Sequence, residues 1–147
     1  MSNKANVASN LVDGSTASKW FDEAIVGTGT SVVVLTLPAP AEVASYELYT
    51  GHDVPKRDPI GWRVYAETVC GGWQLLDERV DVASPEGRAT NYTAVGAGFA
   101  LPAPTEVDPA ACELSRAGRF VFTAVRGRTE DGTPVIADGR QLAEAKL

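Results

Sequence analysis

Residues 46–79 read YELYTGHDVPKRDPIGWRVYAETVCGGWQLLDER, and the side-chain pattern of this stretch indicates the fold class. Apolar and polar side chains alternate along Val43 to Tyr49 and again along Gly61 to Glu67. Because successive side chains of a strand point to opposite faces, each run predicts a strand with one buried and one solvated face. In the second run the predicted buried side chains are Trp62, Val64 and Ala66.

Other short runs on both sides of this stretch predict further strands. They lie at Ser31 to Leu37, Trp73 to Leu76, Arg79 to Val82, Tyr92 to Val95, Gly98 to Leu101, Arg119 to Val125 and Val135 to Leu147. The nearly continuous apolar run SVVVLTL from Ser31 predicts a strand covered on both faces. Asp131-Gly132 is a hairpin-turn signal between the last two runs. Short strands separated by turn residues indicate an all-β sandwich or barrel.

The length of 147 residues predicts a single domain spanning 1–147. Within it, residues 84–117 carry no clean period and include Pro102, Pro104 and Pro109, so we expect an irregular, loop-rich region there. A loop of this length in a compact domain is usually functional, partner-contacting or mobile.

The net charge of −6, from 19 acidic and 13 basic side chains, disfavours nucleic acid and anionic lipid as partners. No apolar run is long enough for membrane insertion, and the first residues lack the apolar region of a signal peptide, which predicts synthesis in the cytoplasm. A surface role after release by lysis stays open. Cys70 and Cys112 are expected to be free thiols, with a single disulfide as the less favoured alternative.

Two segments carry a family resemblance. The first is NLVDGSTASKW at residues 10–20, and the second is the stretch 46–79. Together they resemble the galactose-binding-like β-sandwich superfamily, which includes discoidin and coagulation-factor C-type domains and bacterial carbohydrate-binding modules. The motif residues that carry the resemblance are Asp13, Gly14, Ser18, Trp20, Arg57, Asp58, Pro59, Trp62, Trp73, Leu76 and Asp77, with Glu144 in the closing segment QLAEAKL. The resemblance implies a jelly-roll β-sandwich of two antiparallel sheets.

The resemblance also implies a structural calcium ion, with side-chain ligands Asp13, Ser18 and Glu144. A carboxylate, a glycine free to adopt positive φ and a nearby hydroxyl suit a loop whose oxygens converge on a hard cation. The alternative is an Asx turn in which Asp13 accepts hydrogen bonds from nearby amides and no metal binds.

The three tryptophans, Trp20, Trp62 and Trp73, could stack on sugar rings. A tryptophan that opens a strand in a small sandwich is more often part of the core, so we expect all three to be buried.

His52 is the single histidine of the sequence, and no nucleophile-and-base spacing accompanies it, which disfavours an enzyme. His52, Asp53, Lys56 and Arg57 predict a polar cluster at one end of the sandwich, suited to binding hydroxyl groups. The alternative for residues 57–59 is structural, with Arg57 paired to a local carboxylate.

These observations predict a non-catalytic module that binds a glycan or polysaccharide, as a component of a phage or phage-like virion. The alternative is a structural decoration or tail-associated subunit that contacts other assembly proteins through residues 101–117. The glycosylation-like motif Asn91-Tyr92-Thr93 is interpreted as a chance match.

Overall fold

The computed structural model describes residues 6–23, 30–68, 70–94, 96–102, 117–128, 134–135, 140–142 and 144–146. For residues 117–118 and 122–146 it describes the backbone alone. Within these residues lie two 3₁₀ turns, η1 (Ala8–Val12) and η2 (Pro55–Arg57). The strands of the described residues are β1 (Trp20–Asp22), β2 (Ser31–Ala41), β3 (Ser45–Tyr49), β4 (Gly61–Glu67), β5 (Trp73–Arg79), β6 (Phe99–Ala100), β7 (Ala117–Arg128), β8 (Pro134–Val135), β9 (Arg140–Leu142) and β10 (Glu144–Lys146).

All strand pairs are antiparallel. The larger sheet has the order β2-β7-β4-β5, with β8 paired to the far end of β7. A smaller sheet has the order β10-β3-β6, and β1 pairs with β9. The antiparallel pairing of β7 with β8 agrees with the predicted hairpin, although Asp131-Gly132 itself lies outside the described residues.

The core lies between the larger sheet and the smaller sheet. Val33, Trp62 and Val64 project from the larger sheet, and they belong to the same buried cluster as Tyr46 and Leu48 of β3. Strands β3 and β4 bury alternate side chains, as their sequence pattern predicts. The predicted all-β sandwich of antiparallel sheets is therefore confirmed.

Some predicted strands differ in the structure. The two runs predicted between Trp73 and Val82 form one strand, β5, which pairs with β4 across a bulge after Val64. The Ser31 run is covered on one face only, since Val33 is buried while Val32 and Val34 are exposed on the outer face of the larger sheet. Near Tyr92, an isolated bridge between Tyr49 and Asn91 takes the place of the predicted strand.

The tryptophans divide into two groups. Trp20 and Trp62 are buried, as predicted. Trp73 is 43% exposed, so its predicted place in the core is wrong. It opens the edge strand β5 opposite Glu67, on the side of the sheet that faces away from the smaller sheet.

A hydrogen-bonded chain crosses the core at Trp62. The indole Nε1–H donates to the Tyr46 hydroxyl at 2.8 Å, and that hydroxyl donates to Asp77 Oδ2 at 2.6 Å. Burial raises the pKa of the Tyr46 hydroxyl, and its hydrogen bond to Asp77 raises it further. Arg79 Nε donates to the same Asp77 oxygen at 2.7 Å, so the Trp62 indole N–H, the Tyr46 hydroxyl and this carboxylate oxygen all have hydrogen-bond partners.

Cys70 is disulfide-bonded, which corrects the expectation of a free thiol at this position. The sequence contains one other cysteine, Cys112, and it lies outside the described residues. Disulfides persist in oxidising surroundings, which the low cysteine count did not indicate.

The described parts of the loop-rich region 84–117 are tied to the sandwich by polar contacts. The Tyr92 hydroxyl donates to the Pro59 carbonyl at 2.8 Å, and the Tyr92 ring meets Trp62 edge-on at 5.4 Å. Asn91 is buried, and its Oδ1 accepts a hydrogen bond from the Thr93 backbone N–H, so it is not presented as a glycosylation acceptor. In the part of the chain that is described, no helix is long and apolar enough to cross a membrane.

Candidate functional site

Two loops meet at one end of the sandwich. Residues 50–60 connect β3 to β4, and residues 80–93 follow β5 at the same end because Trp62 pairs with Arg79. The loops are joined by backbone hydrogen bonds from Thr50 N–H to the Thr90 carbonyl at 2.9 Å and from Ala89 N–H to the Gly51 carbonyl at 3.3 Å. We call these two loops, together with residues 19–21 at the start of β1, the loop end.

A buried ion pair fastens the two loops. Asp58 is fully buried and accepts hydrogen bonds from Arg88 Nη1 at 2.6 Å and Nη2 at 2.8 Å. Ser84 Oγ donates to the same carboxylate at 3.0 Å. The hydrogen bonds from Arg88 to Asp58 raise the pKa of Arg88. Because the two bonds are parallel, they hold the two loops in one relative orientation.

A second ion pair joins the start of β1 to the first loop. The Lys19 ammonium bonds Asp53 Oδ2, and the lysine is only 5% exposed while Asp53 is exposed. Burial raises the pKa of Asp53, but the hydrogen bond from Lys19, the backbone N–H of Val54 and the charges of Lys19 and His52 outweigh it and lower that pKa to about 2. Asp53 is therefore ionised across the physiological range.

An aromatic ring lies close to two cations at this end. The Arg57 guanidinium is 4.6 Å from the centre of the Phe21 ring, and the Lys19 ammonium is 5.7 Å from it. The turn η2 places Arg57 there, with Pro55 at its first position and the Arg57 N–H bonded to the Val54 carbonyl. Contacts of this length between a cation and a ring are attractive and orient both groups.

The structure brings together part of the predicted cluster. Asp53 and Arg57 belong to one group of side chains through Lys19 and Phe21. His52 and Lys56 are exposed on the same loop, and the charge of His52 acts on Asp53. Asp58, which follows Arg57 in the sequence, accepts hydrogen bonds from Arg88 and Ser84, and the alternative in which Arg57 pairs with a local carboxylate stays a prediction.

Sequence reasoning did not find Lys19, Phe21 or Arg88. Lys19 and Phe21 flank Trp20, and the alternation of this short strand could have indicated a shared face for the two of them. Arg88 lies in a segment without period, 30 residues from Asp58, so no local pattern indicated its role.

The residues proposed as calcium ligands lie next to the loop end. Asp13 follows η1, and η1 contacts β10, the strand that contains Glu144. Asp13 Oδ1 accepts from Ser15 N–H at 2.8 Å, and its Oδ2 accepts from the Ser18 hydroxyl at 2.5 Å. Gly14 has a φ of +76°, which favours glycine. This is the Asx turn that the sequence left open.

Oxygen donors of this kind suit a hard cation, and the backbone of Glu144 lies on a strand that contacts η1. The Glu144 side chain is outside the described part, so the triad stays a prediction. Among the described residues, no group of three or more histidine, cysteine, aspartate and glutamate side chains could hold a metal ion.

No protein-family model matches the chain, and no curated protein matches it. Solved structures do match. An F5/8 type C domain from Bacteroides fragilis has a TM-score of 0.66 at 12% identity, covering 98% of this chain and 81% of that one. The family 32 carbohydrate-binding module of Streptococcus pneumoniae EndoD has a TM-score of 0.64 at 13% identity, covering 99% and 86%.

The family 32 module of Clostridium perfringens NanJ, solved in complex with galactose, has a TM-score of 0.59 at 16% identity and covers 97% of this chain and 84% of that one. At these identities the likeness concerns the fold. The chain therefore has the β-sandwich fold of the F5/8 type C and family 32 carbohydrate-binding domains, and the resemblance to the galactose-binding-like superfamily is confirmed at that level.

Proposed function

We propose that the chain is a non-catalytic carbohydrate-binding module and that its loop end binds the glycan. The observation that carries this proposal is the grouping of Phe21 with Lys19, Arg57 and Asp53. A ring face offers an apolar surface to sugar C–H groups, while a guanidinium and a carboxylate form hydrogen bonds with hydroxyl groups. The ion pairs of Lys19 and Arg88 hold these groups in place before a ligand arrives.

The structural neighbours support a glycan as the class of ligand. They include modules in complex with galactose and with GalNAc-β-1,3-galactose, a pectin-binding module and a chitosan-binding module. These ligands all present several hydroxyl groups on a pyranose ring, which the polar groups of the loop end are suited to bind.

We also propose, as a separate matter, that the module acts outside the cytoplasm after release, on a phage or phage-like particle. The disulfide at Cys70 supports an oxidising environment. Electron microscopy of purified phage or phage-like particles, labelled with antibody against the chain, tests whether the module is on their surface. Absence of label from intact particles would refute this location.

A glycan array that includes these four ligand types, followed by calorimetry with the best soluble sugar, tests the binding proposal. Arg57→Ala should weaken binding by about tenfold or more, because it removes a charge-assisted hydrogen-bond donor and the partner of the Phe21 ring. His52→Ala should weaken it less, since this side chain is exposed at the edge of the group.

Arg119→Ala is the matched control, because it removes a cation from an exposed position on the larger sheet. It should leave the affinity for a monovalent sugar unchanged. Equal losses in Arg57→Ala and Arg119→Ala, or no binding to any glycan by the folded wild-type protein, would refute the loop end as the binding site.

A further inference from the structure

The outer face of the larger sheet, which faces away from the core, carries a continuous apolar row. Val34 pairs with Val121, Val121 with Tyr65, and Tyr65 with Leu75, so these four residues lie side by side across β2, β7, β4 and β5. We call them the middle row. Val34 is 47% exposed and Leu75 is 45% exposed, although both are branched aliphatic side chains.

Two rows that contain charges flank the middle row. On one side, Val32 lies in line with Arg63 and Glu78, and Arg63 bonds Glu78 at 2.7 Å. On the other side, Thr36, Arg119, Glu67 and Trp73 lie in line, and Arg119 bonds Glu67 at 3.0 Å. Each flanking row contains one cation and one anion.

The described charges of the three rows therefore cancel, on a chain whose net charge is −6. Two copies of an acidic protein repel one another through most of their surfaces, but not through this face. Its tryptophan, tyrosine and arginine side chains are the types enriched at protein interfaces, and Arg119 lies 5.5 Å from the centre of the Trp73 ring.

We propose that this face binds a second copy of the same chain, with the two larger sheets packed face to face about a twofold axis along the middle row. Such an axis brings each middle row against the middle row of the other copy. It also places Arg63 of one copy opposite Glu67 of the other, and no two like charges oppose one another.

The composition of the face favours a protein over a glycan as its occupant. The valine and leucine side chains of the middle row offer no hydrogen bonds to hydroxyl groups, and they match the inner faces of packed sheets. A dimer of this kind contains two loop ends, so the avidity for a surface with repeated ligands would exceed that of one module.

Sedimentation velocity over a concentration series tests the proposal with the intact chain. Up to about 100 μM the wild type should approach twice the chain mass of 15.5 kDa. Leu75→Arg should raise the dimer dissociation constant by about 30-fold or more, because the proposed axis sets this arginine opposite the same arginine of the second copy. Val7→Arg is the matched control, since Val7 is 44% exposed and lies outside the three rows.

An exchange of the charges at residues 63 and 67 tests the orientation of the proposed twofold axis. Arg63→Glu should weaken the dimer about tenfold by opposing Glu67 of the second copy, and adding Glu67→Arg should restore it. Circular dichroism confirms that each variant is folded. A wild type that stays at the single-chain mass, equal effects of Leu75→Arg and Val7→Arg, or failure of the second charge change to restore association would each overturn the proposal.

Discussion

The Arg88 guanidinium donates two parallel hydrogen bonds to the fully buried Asp58 carboxylate, at 2.6 and 2.8 Å. Removal of the arginine leaves a buried carboxylate with Ser84 as a remaining donor. We expect Arg88→Ala to lower the free energy of unfolding by about 3 kcal/mol, the lower end for such a pair, because Arg88 is itself 23% exposed. Urea unfolding measures this loss.

Two further variants separate charge from geometry at this site. Arg88→Lys keeps the charge but not the planar fork, so it should recover only part of the stability. Glu86→Ala removes an exposed side chain from the same loop and should change stability by less than about 0.5 kcal/mol. Full recovery by lysine would contradict a requirement for two parallel hydrogen bonds.

The Tyr46 hydroxyl both accepts from Trp62 and donates to Asp77. Tyr46→Phe preserves the ring contact with Phe99, 5.2 Å between centres, but leaves the buried indole N–H without this acceptor. We expect a loss of about 1–3 kcal/mol in the free energy of unfolding, measured by urea denaturation.

Tyr49→Phe serves as the control for the Tyr46 variant. The Tyr49 hydroxyl donates to Glu47 at 3.0 Å at a partly exposed position, where water can replace it. Its loss should cost less than about 1 kcal/mol. If the two variants lose equal stability, burial of the hydrogen bonds that join Trp62, Tyr46 and Asp77 does not add to the cost of removing the hydroxyl.

Sequence periodicity predicts a strand correctly where the face that carries its apolar side chains is also the face that the opposite sheet covers. Strand β4 begins and ends where its alternation predicts, and Trp62, Val64 and Ala66 are buried. Trp73 was predicted to be buried and is exposed, because its position depends on which face of β5 the smaller sheet covers. A single strand contains no information about that neighbour.

The loop end was predicted only in part, for a related reason. Residues 52–57 are adjacent in sequence, so their polar character is visible as a cluster. Lysine is rarely buried unless it is paired, and the partner of Lys19 is 34 residues away. Long-range ion pairs have no signal in a single sequence, and two of them, at Lys19 and Arg88, organise this site.

The acid stability of the protein should depend on Asp53. Its pKa is lowered to about 2, so its contribution to stability is complete above the ordinary value for an aspartate and is lost as the pH falls from about 4 through about 2. We expect wild type and Asp53→Asn to differ in urea midpoint at neutral pH and to converge across that window.

Lys19→Met tests the cause of this pH dependence. Without the ammonium group, Asp53 loses the main contact that lowers its pKa. Adding Asp53→Asn to Lys19→Met should then change the acid dependence little. If Asp53→Asn changes the acid dependence as much in the Lys19→Met protein as in the wild type, the ion pair is not the source of that pH dependence.

Calcium binding near Asp13 is open to a thermal test. If the predicted ligands Asp13, Ser18 and Glu144 hold the ion, millimolar calcium should raise the melting temperature relative to a chelator, by mass action on the folded state. Asp13→Asn should abolish that rise while it costs little in chelator, because the asparagine Oδ1 can still accept from the Ser15 N–H. Asp53→Asn controls for loss of a carboxylate and should keep the full rise. A wild-type melting temperature that is the same in calcium and in chelator would leave the Asx turn as the complete account of this loop.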